Sequence, residues 1–93
     1  MSENSETVEI TNQRGLHARA SAKFVTFVSR LPESVSVEVE KGGSRVNGTS
    51  IMGLMMLAAS TGCCIEVSAS GAQATEALDA LERLIADKFG EEM

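Results

Sequence analysis

The hydrophobic pattern of this chain changes period repeatedly, and the order of the periods is what most constrains its fold. Where apolar and polar residues alternate, as around Val37 and Val39, a half-buried strand is predicted. Where apolar residues recur three or four positions apart, as Leu78, Leu81 and Ile85 do, an amphipathic helix is predicted. The pattern predicts strands over residues 7–11, 34–40, 44–47 and 64–70, and helices over residues 17–31, 50–57 and 73–89.

The resulting order, β-α-β-β-α-β-α, predicts an α+β fold with one four-stranded antiparallel sheet. Because each alternating strand buries only one face, all three helices are expected on that face of the sheet. The 93 residues suffice for one modest core, so we expect a single domain over residues 1–93. The polar and acidic residues 1–6 are expected to form a flexible tail.

Composition excludes several classes of protein. The chain has no Trp or Tyr and only three Phe, which leaves little aromatic surface for stacking nucleic-acid bases. Its longest apolar run, residues 51–59, is far shorter than the roughly 20 residues needed to span a bilayer. The N-terminus lacks the apolar core of a signal peptide. We therefore expect a cytoplasmic protein with no nucleic-acid partner and no membrane insertion.

Charge is distributed unevenly along the chain. The net charge is −5, yet no Asp or Glu lies between Ile10 and Pro32 or between Lys41 and Ile65. These two windows hold most of the basic residues: Arg14, Arg19, Lys23, Arg30, Lys41 and Arg45. The windows are either ordinary solvated faces or a basic surface that attracts phosphate and acidic partners.

His17 is the only histidine, and it stands at the predicted start of the first helix, between Gly15 and Arg19. A phosphoryl carrier needs an exposed imidazole that is nucleophilic near neutral pH. It also needs N–H donors for the phosphoryl oxygens, which a helix N-terminus supplies, and a nearby cation. His17 and Arg19 meet these requirements, although an incidental surface histidine fits the same residues.

Cys63 and Cys64 are the only cysteines and are adjacent. A single histidine cannot complete a usual zinc site with them, so we expect no metal, and nothing in the chain indicates a cofactor. Both thiols are expected to be reduced and at least partly buried at the start of a strand. Ser50, or Thr49 before it, is expected to be the N-cap of the second helix, and for Ser50 the sequence alone favours capping over modification.

Two segments resemble the HPr family, the histidine-containing phosphocarriers of the bacterial phosphoenolpyruvate-dependent phosphotransferase system. Residues 15–25 are similar to the family's active-site segment, and residues 46–55 to its regulatory serine segment. The resemblance covers residues 8–89, and the predicted element order is that of the family's open-faced β-sandwich. Many members have proline where this chain has Ala20, and alanine gives up some of the rigidity that proline brings to a first turn. The resemblance leaves open whether the carrier serves sugar uptake or a nitrogen-related relay.

The resemblance implies that His17 accepts a phosphoryl group on Nδ1 from phosphorylated enzyme I and passes it to an enzyme IIA-type domain. Arg19 would balance the phosphoryl charge, and the backbone N–H groups of Ala18 and Arg19 would contact its oxygens. Ser50 would be the regulatory site, phosphorylated by an HPr kinase/phosphorylase.

The family docks its partners around the second helix, so we expect a small, transient interface on a monomeric protein. Leu54 and Leu57 are expected to pack in the core, whereas Met52 and Met55 are expected to be exposed. The expected docking residues are Arg19, Lys23, Thr26, Ile51, Met52 and Met55.

Two other functions are weighed against the carrier. In the first, the protein is a non-catalytic regulatory module that Ser50 phosphorylation controls, and His17 is incidental. In the second, it is a ferredoxin-like sensor of a small molecule, which leaves the acid-free windows unexplained. The combination of Gly15, His17 and Arg19 favours the carrier over the regulatory module, because a pure regulator does not need it.

Overall fold

The computed structural model describes residues 3–90 and has the predicted order of elements. The elements are β1 (Glu3–Glu9), α1 (Ala18–Ser29), β2 (Ser36–Lys41), β3 (Ser44–Asn47), α2 (Ile51–Met56), β4 (Cys64–Ser70) and α3 (Ala74–Ala86), followed by the short 3-10 turn Lys88–Gly90. The bounds of β3 and β4 are those predicted from the sequence. The other elements differ from their predicted bounds at one end or both.

The four strands form one sheet in the order β1-β4-β2-β3, and every neighbouring pair is antiparallel. Val39 of β2 lies opposite Val46 of β3 on one side and Val67 of β4 on the other. Val39 and Val67 are fully buried, whereas Glu38, one position along the strand, is exposed. The sheet therefore has one face against the core and one open face, which confirms the predicted open-faced α+β architecture.

The core lies between the sheet and the three helices. Phe24 of α1, Leu54 of α2 and Leu81 of α3 are each fully buried in one cluster with the inward side chains of the strands. Helices α1 and α2 also contact one another directly. Shared burial therefore fixes the position of each helix N-terminus relative to the other.

The first strand starts earlier than predicted. Residues 3–6 were expected to belong to a flexible tail, but Glu3 to Glu9 pair with β4 in continuous register, from Glu3 opposite Ser70 to Glu9 opposite Cys64. Strand pairing is carried by backbone hydrogen bonds, so a polar edge strand needs no apolar alternation. Residues 1 and 2, the rest of the expected tail, lie outside the described residues.

The third helix ends earlier than predicted. It was expected to reach Phe89, but it ends at Ala86, and Lys88 and Phe89 adopt left-handed conformations with φ of 58° and 56°. The left-handed turn still directs Phe89 into the core, where it is fully buried. The apolar spacing was read correctly as a sign of burial, but it did not reveal the change of backbone conformation.

The two cysteines differ in exposure, which corrects the expectation that both are at least partly buried. Cys63 packs partly against the core, whereas Cys64 begins β4 and is exposed. Successive side chains of a strand point to opposite faces, so only one of two adjacent residues can face the core.

No helix in residues 3–90 combines the length and apolar character required for a membrane span. Within the same residues, no cluster of three or more His, Cys, Asp or Glu side chains could hold a metal ion.

Candidate functional site

His17 is the N-cap residue of α1. Its backbone is extended, with φ −81° and ψ −175°, and its Nδ1 accepts a hydrogen bond from the backbone N–H of Arg19 at 3.2 Å. An N-cap side chain normally accepts such a bond through a Ser, Thr, Asp or Asn oxygen, and here an imidazole nitrogen occupies that place. In the neutral ring, the accepting Nδ1 is the unprotonated nitrogen and Nε2 has the proton. The half-buried ring therefore presents its nucleophilic nitrogen at a helix N-terminus.

The first turn of α1 suits an anion. The N–H groups of Ala18 and Arg19 have no carbonyl partner within the helix, because the first four N–H groups of any helix lack one. The turn contains no acidic residue, and Arg19 is exposed on it. Backbone donors and the positive end of the helix dipole thus lie beside Nδ1, and Arg19 adds a positive charge to the same turn.

Gly15 sets the direction in which the chain enters α1. It has φ +67°, and a Cβ atom at this position would lie 2.3 Å from the carbonyl oxygen of Ala59. The next residue, Leu16, is buried and donates its N–H to that same oxygen at 2.8 Å. The close approach of the two backbones therefore requires glycine, which explains why the residue two positions before His17 has no side chain.

Ser50 is the N-cap of α2, as its residue type predicted. Its backbone is extended and its Oγ accepts a hydrogen bond from the N–H of Gly53 at 2.9 Å. Asn47 shapes the entry to the helix by accepting hydrogen bonds from the N–H and the hydroxyl of Thr49 at 2.9 and 2.7 Å. The side chain of Ser50 is half-buried and lies beside the exposed residues of α2.

Helix α2 exposes a group of large apolar side chains. Met52 is 68% exposed and Met55 39%, the two methionines for which exposure was expected. Ile51 is also 39% exposed, whereas Leu54 and Leu57 are buried as expected. Sequence reasoning missed Met56, which at 77% is the most exposed of the group. Its position at the end of a six-residue helix is the signal that could have found it.

A groove of about 340 Å³ runs along the side of α1 that faces α3. Its lining includes three basic and three apolar residues: Arg19, Lys23, Arg30, Ala22, Phe27 and Leu84. Lys23 also donates a hydrogen bond from Nζ to the carbonyl oxygen of Phe89 at 2.8 Å. Lys23 and Thr26, both expected at a docking surface, thus line the side of α1 that faces α3.

The second acid-free window does not form one basic surface with the first. Arg45 lies on β3 and bridges Glu38 and Glu40 of β2, at 2.7 and 3.2 Å. The hydrogen bond to Glu38, followed by that to Glu40, raises the pKa of the guanidinium above its usual value. The positive charge of Arg45 is therefore paired with two carboxylates of β2.

Cys63 has an altered acidity. Its Sγ lies 3.6 Å from the hydroxyl of Ser60, and this hydrogen bond is the main reason why the pKa of the thiol is lowered. The backbone of Ser60 and the charge of Lys41 act in the same direction. The thiol of Cys63 is thus more acidic than an ordinary cysteine thiol. Cys63 lies in the loop that packs against Gly15 and Leu16.

Comparison with known proteins agrees with this geometry. Residues 4–87 match the family model described as "PTS HPr component phosphorylation site". The chain is 52% identical over 86 residues to the phosphocarrier protein HPr of Neisseria meningitidis, covering 92% of this chain and 94% of that protein. It is 44% identical over 82 residues to the HPr of Cupriavidus necator, covering 88% and 90%.

Solved structures agree in fold. A crystal structure of HPr from Thermoanaerobacter tengcongensis superposes with a TM-score of 0.89 at 46% identity, covering 97% of this chain and 99% of that one. HPr from Bacillus anthracis superposes with a TM-score of 0.84 at 36% identity, covering 91% and 99%. A further crystal structure from Thermoanaerobacter tengcongensis is of an HPr dimer, with a TM-score of 0.73 at 46% identity over 90% of this chain and 94% of that one. This chain belongs to the HPr family of phosphocarrier proteins of the phosphotransferase system.

Proposed function

We propose that this protein carries a phosphoryl group on Nδ1 of His17, accepting it from phosphorylated enzyme I and passing it to an enzyme IIA-type domain. The observation that carries the proposal is the hydrogen bond from the N–H of Arg19 to Nδ1, at 3.2 Å. It aligns the ring so that the nucleophilic lone pair is directed to the helix N-terminus, where an anion is stabilised.

In the transfer step, the lone pair of Nδ1 attacks phosphorus and forms the new P–N bond. The bond between phosphorus and the donor group breaks, and its electron pair returns to the donor. Nε2 keeps its proton, and the N–H of Arg19 exchanges Nδ1 for a phosphoryl oxygen. The N–H of Ala18 and the guanidinium of Arg19 stabilise charge on the other oxygens, which is how electrostatic preorganisation lowers a barrier.

The step reverses readily because the site binds the phosphoryl group at its edge. His17 is half-buried and Ala18 and Arg19 are exposed, so a second partner can reach the phosphorus from the solvent side. Water competes with the phosphoryl group for these exposed donors, and this limits how tightly the donors hold it. A carrier needs this balance, since a deeply held phosphoryl group would not leave.

Docking in this proposal uses residues of both α1 and α2. Arg19, Lys23 and Thr26 supply charge and polarity from α1, and Ile51, Met52 and Met55 supply apolar contact from α2. Flexible methionine side chains suit a surface that fits several partners in turn. The absence of acidic residues between Ile10 and Pro32 favours acidic partner surfaces.

Ser50 is proposed as a regulatory phosphorylation site for an HPr kinase/phosphorylase. Phosphorylation would add a charge of about −1.5 to −2 next to the exposed apolar residues of α2. The helix tolerates an anion at its own N-terminus, so the fold should survive. The added charge would instead weaken docking of acidic partners. The kinase should label wild-type protein and leave Ser50→Ala unlabelled.

We further propose that the carrier is a cytoplasmic monomer. A protein that offers His17 to two partners in succession must leave α1 and α2 uncovered, and the phosphoryl donor phosphoenolpyruvate is a cytoplasmic metabolite. Sedimentation at micromolar concentration should give the mass of one chain. A stable dimer that accepts no phosphoryl group would contradict this.

The direct test incubates the protein with phosphoenolpyruvate and enzyme I. The wild-type chain should gain acid-labile phosphate, and His17→Ala should gain none. If the wild type stays unlabelled while the kinase labels Ser50, the protein is a regulatory module and His17 is incidental. Equal labelling of wild type and His17→Ala would place the phosphate elsewhere and refute the proposal.

A further inference from the structure

The segment that carries His17 is clamped by a second loop, the one between α2 and β4. We call residues 10–16 the entry loop and residues 57–63 the bracing loop. Ile10 donates its N–H to the carbonyl of Cys63 at 2.8 Å and accepts a hydrogen bond from the N–H of Gly62 at 2.9 Å. The two loops are also joined by the bond from Leu16 N–H to the carbonyl of Ala59. The entry loop is therefore held at both of its ends.

Asn12 organises the middle of the entry loop. It is fully buried, and its Nδ2 donates a hydrogen bond to the carbonyl oxygen of Gly15 at 2.8 Å. That oxygen also accepts the backbone N–H of His17 at 2.9 Å. One carbonyl therefore joins the Asn12 side chain to the backbone of His17. The N–H of Gly15 in turn donates to the carbonyl of Asn12 at 3.2 Å, which closes the turn.

Thr61 of the bracing loop fastens this turn from outside. Its hydroxyl donates to the carbonyl oxygens of Asn12 and Gln13, the latter at 2.8 Å. A hydroxyl has one proton, so the two carbonyls share it. These residues are separated by 49 and 48 positions along the chain. The side chain of Thr61 is exposed, so it adds little to the core, and its hydroxyl makes its described contacts with the entry loop.

We propose that Thr61 and Asn12 are positioning residues for phosphoryl transfer at His17. Thr61 holds the carbonyl of Asn12, the side chain of Asn12 holds the carbonyl of Gly15, and this carbonyl holds the N–H of His17. The chain of contacts fixes where the imidazole stands relative to the N–H of Arg19. This inference rests on the proposed function, because positioning matters only if a phosphoryl group is transferred.

A small error of placement is costly in this reaction. Transfer needs the attacking nitrogen, phosphorus and leaving group nearly in line, and the oxygens need donors already in place. A displacement on the order of 1 Å can cost a hundredfold in rate. The imidazole is carried on a loop, so its precision depends on the hydrogen bonds that hold the loop.

The test compares Thr61→Val with Thr61→Ser. Valine keeps the β-branched shape and loses the hydroxyl, whereas serine keeps the hydroxyl. We expect Thr61→Val to lower the maximal rate of transfer from phosphorylated enzyme I by about three- to tenfold, with KM for enzyme I unchanged. Thr61→Ser should recover the wild-type rate. Thr61→Ala serves as a second hydroxyl-free variant in case valine disturbs the loop.

Thr75→Val is the matched control. Thr75 is exposed like Thr61, and its hydroxyl also makes a contact between distant residues, accepting a hydrogen bond from Nδ2 of Asn4 at 2.7 Å. This contact joins α3 to β1 and involves neither the entry loop nor the bracing loop. The same chemical change there should therefore leave the rate at the wild-type value. A loss of rate in Thr75→Val equal to that in Thr61→Val would mean that general loosening, not positioning, is responsible.

A second readout separates positioning from stability. In the wild type, NMR should detect a scalar coupling between the Arg19 amide nitrogen and Nδ1 of His17 across their hydrogen bond. In Thr61→Val the size of that coupling should fall, and in Thr61→Ser it should be retained. If both hydroxyl-free variants keep the wild-type rate and the wild-type coupling, the inference is wrong. If the wild type itself accepts no phosphoryl group, the proposed function fails, whereas an altered coupling would still show that Thr61 positions the ring.

Discussion

Replacing Gly15 by alanine would place a methyl group where the backbone of the bracing loop already lies. The new Cβ would be 2.3 Å from the carbonyl oxygen of Ala59 and 2.7 Å from the Cα of Ser60. Cβ contacts below 3.0 Å essentially never occur, so the two backbones must separate by at least 0.7 Å. Both obstructing atoms belong to the main chain, so no side chain can rotate away. The movement also strains the hydrogen bond from Leu16 to Ala59.

The cost has two parts. A left-handed conformation costs an alanine about 1 kcal/mol relative to glycine. The forced separation of two backbones should add about 2 kcal/mol, in the range of other overpacked sites. We therefore expect Gly15→Ala to lower the free energy of unfolding by about 3 kcal/mol, measured by urea denaturation with an unchanged slope. The maximal rate of phosphoryl transfer should fall as well.

Gly42→Ala isolates the first part of this cost. Gly42 also has a positive φ, +58°, but a Cβ atom there would meet nothing within 4 Å. The free energy of unfolding of Gly42→Ala should therefore fall by only about 1 kcal/mol, and this variant should keep the wild-type transfer rate. If Gly15→Ala is no less stable than Gly42→Ala, the close approach of the two loops does not explain why glycine precedes His17.

Three further predictions concern other parts of the site. Ser50→Ala should lower the free energy of unfolding, measured by urea denaturation, by about 1 kcal/mol, because the hydrogen bond to Gly53 is lost, and equal stability of this variant and the wild type would contradict the capping role. Ser50→Asp should keep the cap and slow transfer from enzyme I. Ser60→Ala should raise the pH midpoint of Cys63 alkylation, measured by tandem mass spectrometry, because the hydroxyl that stabilises the thiolate is removed. An unchanged midpoint would show that another group lowers the pKa of the thiol. Met52→Ala should raise KM for enzyme I several-fold. Thermal stability should not change, because this side chain is mostly exposed, and an unchanged KM would exclude Met52 from the docking surface.

Local patterns in the sequence were sufficient for the order of elements and for much of the core. Alternation located β4 to the residue, and the Gly42-Gly43 turn together with the break at Gly48 located β3. Alternation failed for β1, whose residues Glu3 to Glu6 pair through their backbones with little apolar signal. It also failed at the end of α3, where Lys88 and Phe89 turn left-handed without glycine at either position.

The candidate site was only partly predictable for a related reason. His17 and Ser50 are N-caps, and N-caps are local features that residue type and helical period reveal together. The contacts of Thr61 with Asn12 and Gln13 depend on the folded chain, since they join residues nearly fifty positions apart. Polar loop residues such as Thr61 give no periodic signal, so only the structure shows which of them contact the entry loop.

The measurement that tests the central claim most directly is NMR of the protein after phosphorylation by enzyme I and phosphoenolpyruvate. Phosphorus and nitrogen spectra should place a single phosphoryl group on Nδ1 of His17, with the Arg19 amide resonance displaced as its hydrogen bond moves from Nδ1 to a phosphoryl oxygen. Addition of an enzyme IIA-type domain should then remove the phosphoryl group. A phosphoryl group on Nε2, or one that persists in His17→Ala, would contradict the role assigned to the N-cap imidazole.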